Sequence, residues 1–278
     1  MKIALFISGR LTCYEYNLIP ILNYLDSKYE INLFVSINGE RDEYHINAEI
    51  NLSKWLKKIS YENYKVPDNF TENTHKSSLI QIVDNKRVPY TNLSCFFNDR
   101  KAYESIIEYS VANSEKYDVY CKIRPDIIFN NINNLNFQKP KYDTIYSCVP
   151  PCPIYFDRNG RGPICVSDAF AYGDEKSMDI YTKTYDNIIF LNEKMNGKYL
   201  INYELCLTES IFRMIFCGDG HNNLDDCKNL NYYSLVKDYL ELESLYNNLK
   251  VNIEYFNCSY SLNSNRRSKD LIKNINPF

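Results

Sequence analysis

The feature that most limits the fold is a pair of short apolar runs separated by a segment with helical periodicity. The runs are Lys2–Ser8 and Ile31–Ile37, and their β-branched and aromatic residues favour buried strands. Apolar residues between them recur at helical spacing: Leu18, Ile21, Leu22 and Leu25. Strand, helix and strand in this order form a βαβ unit with a right-handed crossover. The sequence therefore predicts an α/β protein with a mostly parallel sheet.

The first predicted strand ends in Ser8, Gly9 and Arg10, three residues suited to contact a phosphate-bearing ligand. Glycine lets the backbone turn sharply and lets a ligand come close, and open α/β sheets bind ligands beyond the carboxyl ends of their strands. The chain contains neither G-x-G-x-x-G nor a Walker sequence, which disfavours a dinucleotide or P-loop site. The alternative for Arg10 is a solvated loop charge.

A charged triplet interrupts a second apolar region. Val119–Ile123 has the pattern of a buried strand, Arg124-Pro125-Asp126 follows it, and Ile127–Phe129 resumes the apolar pattern. Burying an Arg and an Asp is costly unless they are paired or hold something. Two interpretations stay open at this point: a structural ion pair at the strand end, or a ligand site at the carboxyl edge of the sheet.

Two further acidic residues lie at predicted element boundaries. Asp168 heads the short apolar run that Gly173 closes, which places a carboxylate at a strand end, although a turn or cap role is equally open. Glu204 lies near the start of a predicted helix over about 202–216, where a partner for the helix dipole is the alternative to a site residue.

The remaining predictions concern elements rather than chemistry. Apolar spacing at Leu52, Trp55, Leu56 and Ile59 predicts one amphipathic helix, and Asp99 is expected to be the N-cap of a helix that ends near Ser114. His45 lies in polar sequence and is expected to be exposed. Further strands are predicted at Leu79–Val83, Thr144–Val149 and Val251–Tyr255.

Composition excludes some classes of protein. The net charge of −3 offers no basic field, so no nucleic-acid partner is expected. No run approaches the ~20 apolar residues of a membrane span, and the first apolar run is too short for a signal segment. The ten cysteines contain no Cys-x-x-Cys pair, which favours a reducing, cytoplasmic location. A metal or disulfide at Cys148 and Cys152 is the minor alternative.

The order of these pieces resembles a family. Four pieces follow one another along the chain: Ser8-Gly9-Arg10, Ile123–Phe129, Ser167–Gly173 and Glu204. This order resembles that of the glycosyltransferase-like proteins of large DNA viruses and bacterial polysaccharide clusters, whose fold is GT-A-like. The resemblance covers roughly residues 1–215. It implies a single GT-A-like domain over 1–260 with a polar tail over 261–278, a nucleotide-sugar donor and a glycan acceptor.

The resemblance also implies roles for the site residues. GT-A enzymes hold a divalent metal with an Asp-x-Asp sequence, and the matching place here is Arg124-Pro125-Asp126, which puts metal dependence in doubt. Asp126 could still hold Mn²⁺ or Mg²⁺, while Arg10 and Arg124 would face the diphosphate. Asp168 or Glu204 would serve the acceptor, with inversion and retention both open.

Two alternatives to a nucleotide-sugar transferase stay open. The first is a non-catalytic carbohydrate- or nucleotide-binding module on a degenerate transferase scaffold, and the missing second Asp is its best argument. The second is a sulfo- or phosphotransferase, which lacks the expected phosphate loop.

Overall fold

The computed structural model describes residues 1–11, 14–65, 67, 81–83, 86–88, 91–148, 166–194, 252–256 and 260–262. The strands are β1 (Lys2–Ser8), β2 (Glu30–Asn38), β3 (Leu56–Glu62), β4 (Gln81–Val83), β5 (Lys86–Val88), β6 (Val119–Ile123), β7 (Ile127–Phe129), β8 (Thr144–Cys148), β9 (Phe170–Gly173), β10 (Asn252–Phe256) and β11 (Tyr260–Leu262). The helices are α1 (Tyr14–Asp26), α2 (Glu43–Leu52), α3 (Thr91–Asn113), α4 (Glu175–Thr182) and α5 (Thr184–Lys194).

Seven strands form one sheet in the order β10-β8-β9-β6-β1-β2-β3. All of its pairings are parallel except the two made by β9, which runs antiparallel to β6 and to β8. The prediction of a mixed, mostly parallel sheet flanked by helices is confirmed. The carboxyl ends of β1, β2 and β6 meet at one edge of this sheet, so their terminal residues lie close together.

Both faces of the sheet are covered, which explains why its strands have nearly continuous apolar sequences. Ile3, Leu5 and Ile7 of β1 pack into the core that contains α1, whereas Ala4 and Phe6 point the other way, into the core with α3 and α4. Alternate residues of a strand point to opposite faces, so a single apolar run supplies both cores.

One predicted helix is wrong. The apolar residues between Leu52 and Ile59 belong to two elements, because α2 ends at Leu52 and β3 begins at Leu56. The Asp42 side chain accepts a hydrogen bond from the backbone N–H of His45 and so fixes where α2 begins. His45 is also buried rather than exposed, because its ring packs edge-on against the rings of Tyr44 and Tyr61. Spacing alone could not separate a last helical turn from a following strand.

A second correction concerns Asp99. The helix expected to start there begins at Thr91, so Asp99 lies inside α3 instead of capping it. Its side chain is buried and forms an ion pair with Lys122, which is fully buried in β6. The residue therefore joins α3 to the sheet, and its polar character reflects that contact rather than a helix end.

Two late segments of the chain form strands with earlier ones. β10 pairs with β8 in the seven-stranded sheet, whereas β11 and β7 form a separate two-stranded sheet. The predicted boundary between domain and tail falls at β11, which reaches Leu262, and the single-domain assignment stays a prediction. Among the described residues, no helix is both long and apolar enough to cross a membrane.

Candidate functional site

The reversed strand β9 brings two distant sequence positions together. β6 ends at Ile123, which pairs with Phe170 at the start of β9, and the Arg124 backbone N–H donates to the Ala169 carbonyl at 2.9 Å. An antiparallel neighbour starts where its partner ends. Asp168 therefore lies at the carboxyl edge of the sheet, beside Arg124.

The Arg124 guanidinium binds both predicted acidic residues at this edge. Its Nε and Nη2 donate to the two carboxylate oxygens of Asp126 at 2.9 Å each, a bidentate pair. Its Nη1 donates to Oδ2 of Asp168 at 2.5 Å. The exposed fractions of the three side chains are 19%, 7% and 8% in the order Arg124, Asp126, Asp168. We call these three residues the arginine cluster.

The arginine cluster carries one positive and two negative charges. Burial alone would lower the pKa of Arg124, but the charges of Asp168 and Asp126 outweigh burial and raise it further above its ordinary value. The positive charge of Arg124 is therefore more than balanced within the cluster. A guanidinium has five N–H donors, and three of them make the bonds described above, so two can still donate to a ligand.

The end of β1 lies beside the cluster. β1 and β6 pair in parallel, and Phe6 lies opposite Lys122. Ser8 and Arg124 each follow two residues later, so they lie at the same edge of the sheet. Ser8 is buried, whereas Arg10 is exposed and makes no ion pair or hydrogen bond to another described residue. The structure thus brings Ser8, Gly9 and Arg10 to the same edge as Arg124, Asp126 and Asp168.

Gly9 makes this edge open. Its φ is +87°, a left-handed conformation that favours glycine, and its N–H donates to the Ser36 carbonyl at 2.9 Å. A Cβ placed on Gly9 would meet no atom within 4 Å. No described residue fills the space above this turn, so a ligand could enter it. The turn itself is hydrogen-bonded to β2.

Sequence reasoning missed a buried polar layer under this edge. Lys122 and Asp99 form a buried ion pair, and the Ser36 hydroxyl donates to Oδ1 of Asn98 at 2.9 Å. Both contacts join the sheet to α3. The available signal was Lys122 itself, because a lysine in the middle of a buried strand requires an anionic partner. The identity of that partner could not be read from spacing.

The arginine cluster does not form a ready site for a divalent metal. Both oxygens of Asp126 accept from Arg124, and the part of the chain that is described holds no group of three or more His, Cys, Asp or Glu residues suited to a metal. A metal at Asp126 would have to displace the guanidinium. Asp126 as a ligand for Mn²⁺ or Mg²⁺ stays a prediction. Glu204 and Cys152 lie outside the described residues.

A cavity of about 490 Å³ is lined by residues of α3 and α4. Its lining includes Arg100, Tyr103, Glu175 and Asp179. The Tyr120 hydroxyl, at the start of β6, donates to Glu175 at 2.9 Å, so the Glu175 side of the cavity lies near the amino end of that strand. Arg100 and Asp179 pair with each other at 2.7 Å. The cavity is therefore separate from the arginine cluster.

No family model and no curated protein matches the sequence. Among solved structures, the apo form of the glycosyltransferase GlyE from Streptococcus pneumoniae TIGR4 is 11% identical, over 85% of this chain and 51% of that chain, with a TM-score of 0.35. The chain thus spans about half the length of GlyE.

Two further structures are similar at the same level. An active-site mutant of LgtC is 11% identical over 90% of this chain and 97% of that chain, with a TM-score of 0.41. Core-mannan synthase A (CmsA/Ktr4) from Aspergillus fumigatus, in an Mn/GDP form, is 14% identical over 76% and 69% of the two chains, with a TM-score of 0.40.

Proposed function

We propose that this protein is a glycosyltransferase that moves a sugar from a nucleotide-sugar donor to a hydroxyl of a glycan or other acceptor. The observation that carries the proposal is the convergence of Asp126 and Asp168, both held by Arg124, beside the open turn at Gly9. Buried carboxylates beside a space at the carboxyl edge of a parallel sheet are suited to a bound ligand. The motif order that resembles GT-A enzymes selects the class of ligand.

Transfer of a sugar breaks a glycosyl–phosphate bond and leaves a charge on the diphosphate. Arg10 is the residue suited to balance that charge, because its guanidinium is exposed and makes no ion pair to another described residue. Arg124 contributes hydrogen-bond donors rather than net charge, since two carboxylates already surround it. Ser8 and Gly9 would shape the turn against which the donor lies.

The acceptor hydroxyl loses a proton as its oxygen attacks the sugar carbon, so a transfer with inversion needs a base. Asp168 fits this role. Arg124 holds one of its oxygens, and the other makes no hydrogen bond to any described residue. In the proposed reaction that oxygen takes the proton, while the electron pair of the broken bond leaves with the diphosphate. Glu204 is the second candidate for this role, and retention with a carboxylate nucleophile is the alternative course.

One observation favours a second function, a module that binds nucleotide or carbohydrate without turning it over. Each charged side chain of the arginine cluster finds its partner inside the cluster, as in an ion pair whose role is structural. Such a module would keep the open turn at Gly9 and bind a nucleotide diphosphate, but it would release none from a nucleotide sugar.

The test is release of free nucleotide diphosphate from a panel of nucleotide sugars, with and without glycan acceptors. We expect the wild-type chain to release it and Asp168→Asn to reduce the rate about 100-fold or more, the usual contribution of a positioned base. Asp179→Asn is the matched control, because Asp179 also pairs with an arginine, Arg100, but neither residue belongs to the arginine cluster. Binding of nucleotide diphosphate without any turnover across the panel would favour the non-catalytic module.

A further inference from the structure

The arginine cluster places a cation where two buried carboxylates converge. Asp126 gives both oxygens and Asp168 gives one, and all three oxygens point at the same guanidinium. We propose that Arg124 is a built-in cation that takes the position of a divalent metal, so that this protein binds its donor without a metal ion. The identity of the donor in this inference rests on the proposed function. The exclusion of a metal ion rests on the arginine cluster alone.

Charge explains why the guanidinium and a divalent ion exclude each other. Two carboxylates that are less than a tenth exposed require a nearby positive charge. Arg124 supplies one such charge, and with a neutral side chain at position 124 the two carboxylates would match the charge of a divalent ion. Hard cations such as Mn²⁺ take carboxylate oxygens as ligands. These are the same oxygens that now accept hydrogen bonds from Arg124.

The backbone keeps the guanidinium in place. The Arg124 N–H donates to the Ala169 carbonyl at 2.9 Å, and the Arg124 carbonyl accepts from the Ile127 N–H at 3.3 Å. The side chain is therefore tethered at the end of β6, and its effective concentration at the carboxylates is far above that of a free ion in solution. A divalent ion competes with a cation that cannot diffuse away.

The experiment is a titration of the protein with Mn²⁺, followed by the loss of the free-ion signal in electron paramagnetic resonance. We expect no stoichiometric binding by the wild-type chain. Arg124→Gln is expected to gain one site, with an affinity for Mn²⁺ at least 10-fold above that of the wild type. Adding Asp126→Asn to Arg124→Gln is expected to abolish that site.

Lys122→Gln is the matched control. It also removes a buried cation from the same segment, but Lys122 pairs with the single carboxylate of Asp99. One carboxylate is a poor site for a divalent ion, so we expect no gain of Mn²⁺ binding there. A gain equal to that of Arg124→Gln would show that any lost buried cation has this effect, and would overturn the inference.

Two other outcomes overturn the inference. One is a wild-type chain that binds one Mn²⁺ and loses it in Asp126→Asn, which would make Asp126 a metal ligand; this arm does not depend on the folding of Arg124→Gln. The other is a folded Arg124→Gln chain that gains no site. Because the titration needs no substrate, it can fail or succeed independently of the release of nucleotide diphosphate that tests the proposed function.

Discussion

Each end of the central sheet carries one cation between two carboxylates, and the two groups differ in burial and geometry. At the amino edge, Lys2 contacts Glu30 and Glu115 at 2.8 Å each, and the Glu30 side chain is 64% exposed. At the carboxyl edge, the arginine cluster has a rigid guanidinium fork and two carboxylates that are less than a tenth exposed. Equal charge composition therefore does not mean an equal environment, because water reaches the first group whereas the second is largely shielded from it.

The largest expected difference between the two edges is in stability. Arg124→Met leaves two buried carboxylates without their cation, and breaking a buried pair in this way costs about 3–5 kcal/mol. Lys2→Met removes a cation from partners that water reaches, which costs below about 1 kcal/mol. Urea unfolding of both variants measures the two values. A similar loss of stability in both variants would mean that burial does not make the ion pairs of the carboxyl edge more stabilising than those of the amino edge.

The second largest expected difference between the two edges is in the binding of nucleotide diphosphate. Arg10→Gln removes the exposed cation at the carboxyl edge, and a hydrogen bond to a charged group contributes about 1.5–3 kcal/mol. We expect the Kd for nucleotide diphosphate to rise by about 10-fold or more, with little change in stability. Isothermal calorimetry at two salt concentrations measures it. Lys176→Gln, a cation from α4 near the opposite edge, serves as control, and an equal rise there would remove the role given to Arg10.

Two glycines test whether the space above β1 is used. Gly9 and Gly39 follow neighbouring strands, both have positive φ, and neither would bring a Cβ within 4 Å of another atom. Alanine at either position is strained by about 1–3 kcal/mol, and thermal unfolding would show this loss in both variants. Gly9→Ala alone is expected to weaken binding of nucleotide diphosphate several-fold. Equal weakening in Gly39→Ala would place the ligand elsewhere along the edge.

The smallest effect belongs to the amino edge and depends on pH. The hydrogen bond from Lys2 lowers the pKa of Glu115 below its ordinary value. A carboxyl whose pKa is lowered on folding adds stability above its unfolded pKa and loses it as the pH falls through the folded value. Glu115→Gln should therefore lower stability slightly at pH 7 and converge with the wild type in acid. Unfolding curves between pH 7 and pH 3 would contradict this assignment if the gap widened in acid.

The sheet was predictable in part because its strands are buried on both faces. Val119–Ile123 was predicted with the bounds that the structure has, and Thr144–Val149 differs from β8 by one residue. Apolar periodicity indicates that a segment is a strand, but it does not indicate which strand lies beside it. The direction of β9 depends on that pairing. The sequence therefore placed Arg124, Asp126 and Asp168 at strand ends without showing that Asp168, 44 positions from Arg124, would touch it.

The place of β8 in the sheet has a consequence for synthesis of the protein. One edge of β8 pairs with β9, which follows soon after it in the sequence. The other edge pairs with β10, where Thr144 of β8 lies opposite Asn252 of β10. A nascent chain emerging from the ribosome presents the outer side of β8 long before β10 is translated. Unpaired strand edges recruit other strands, so this stretch is where we expect chaperones to engage the growing polypeptide.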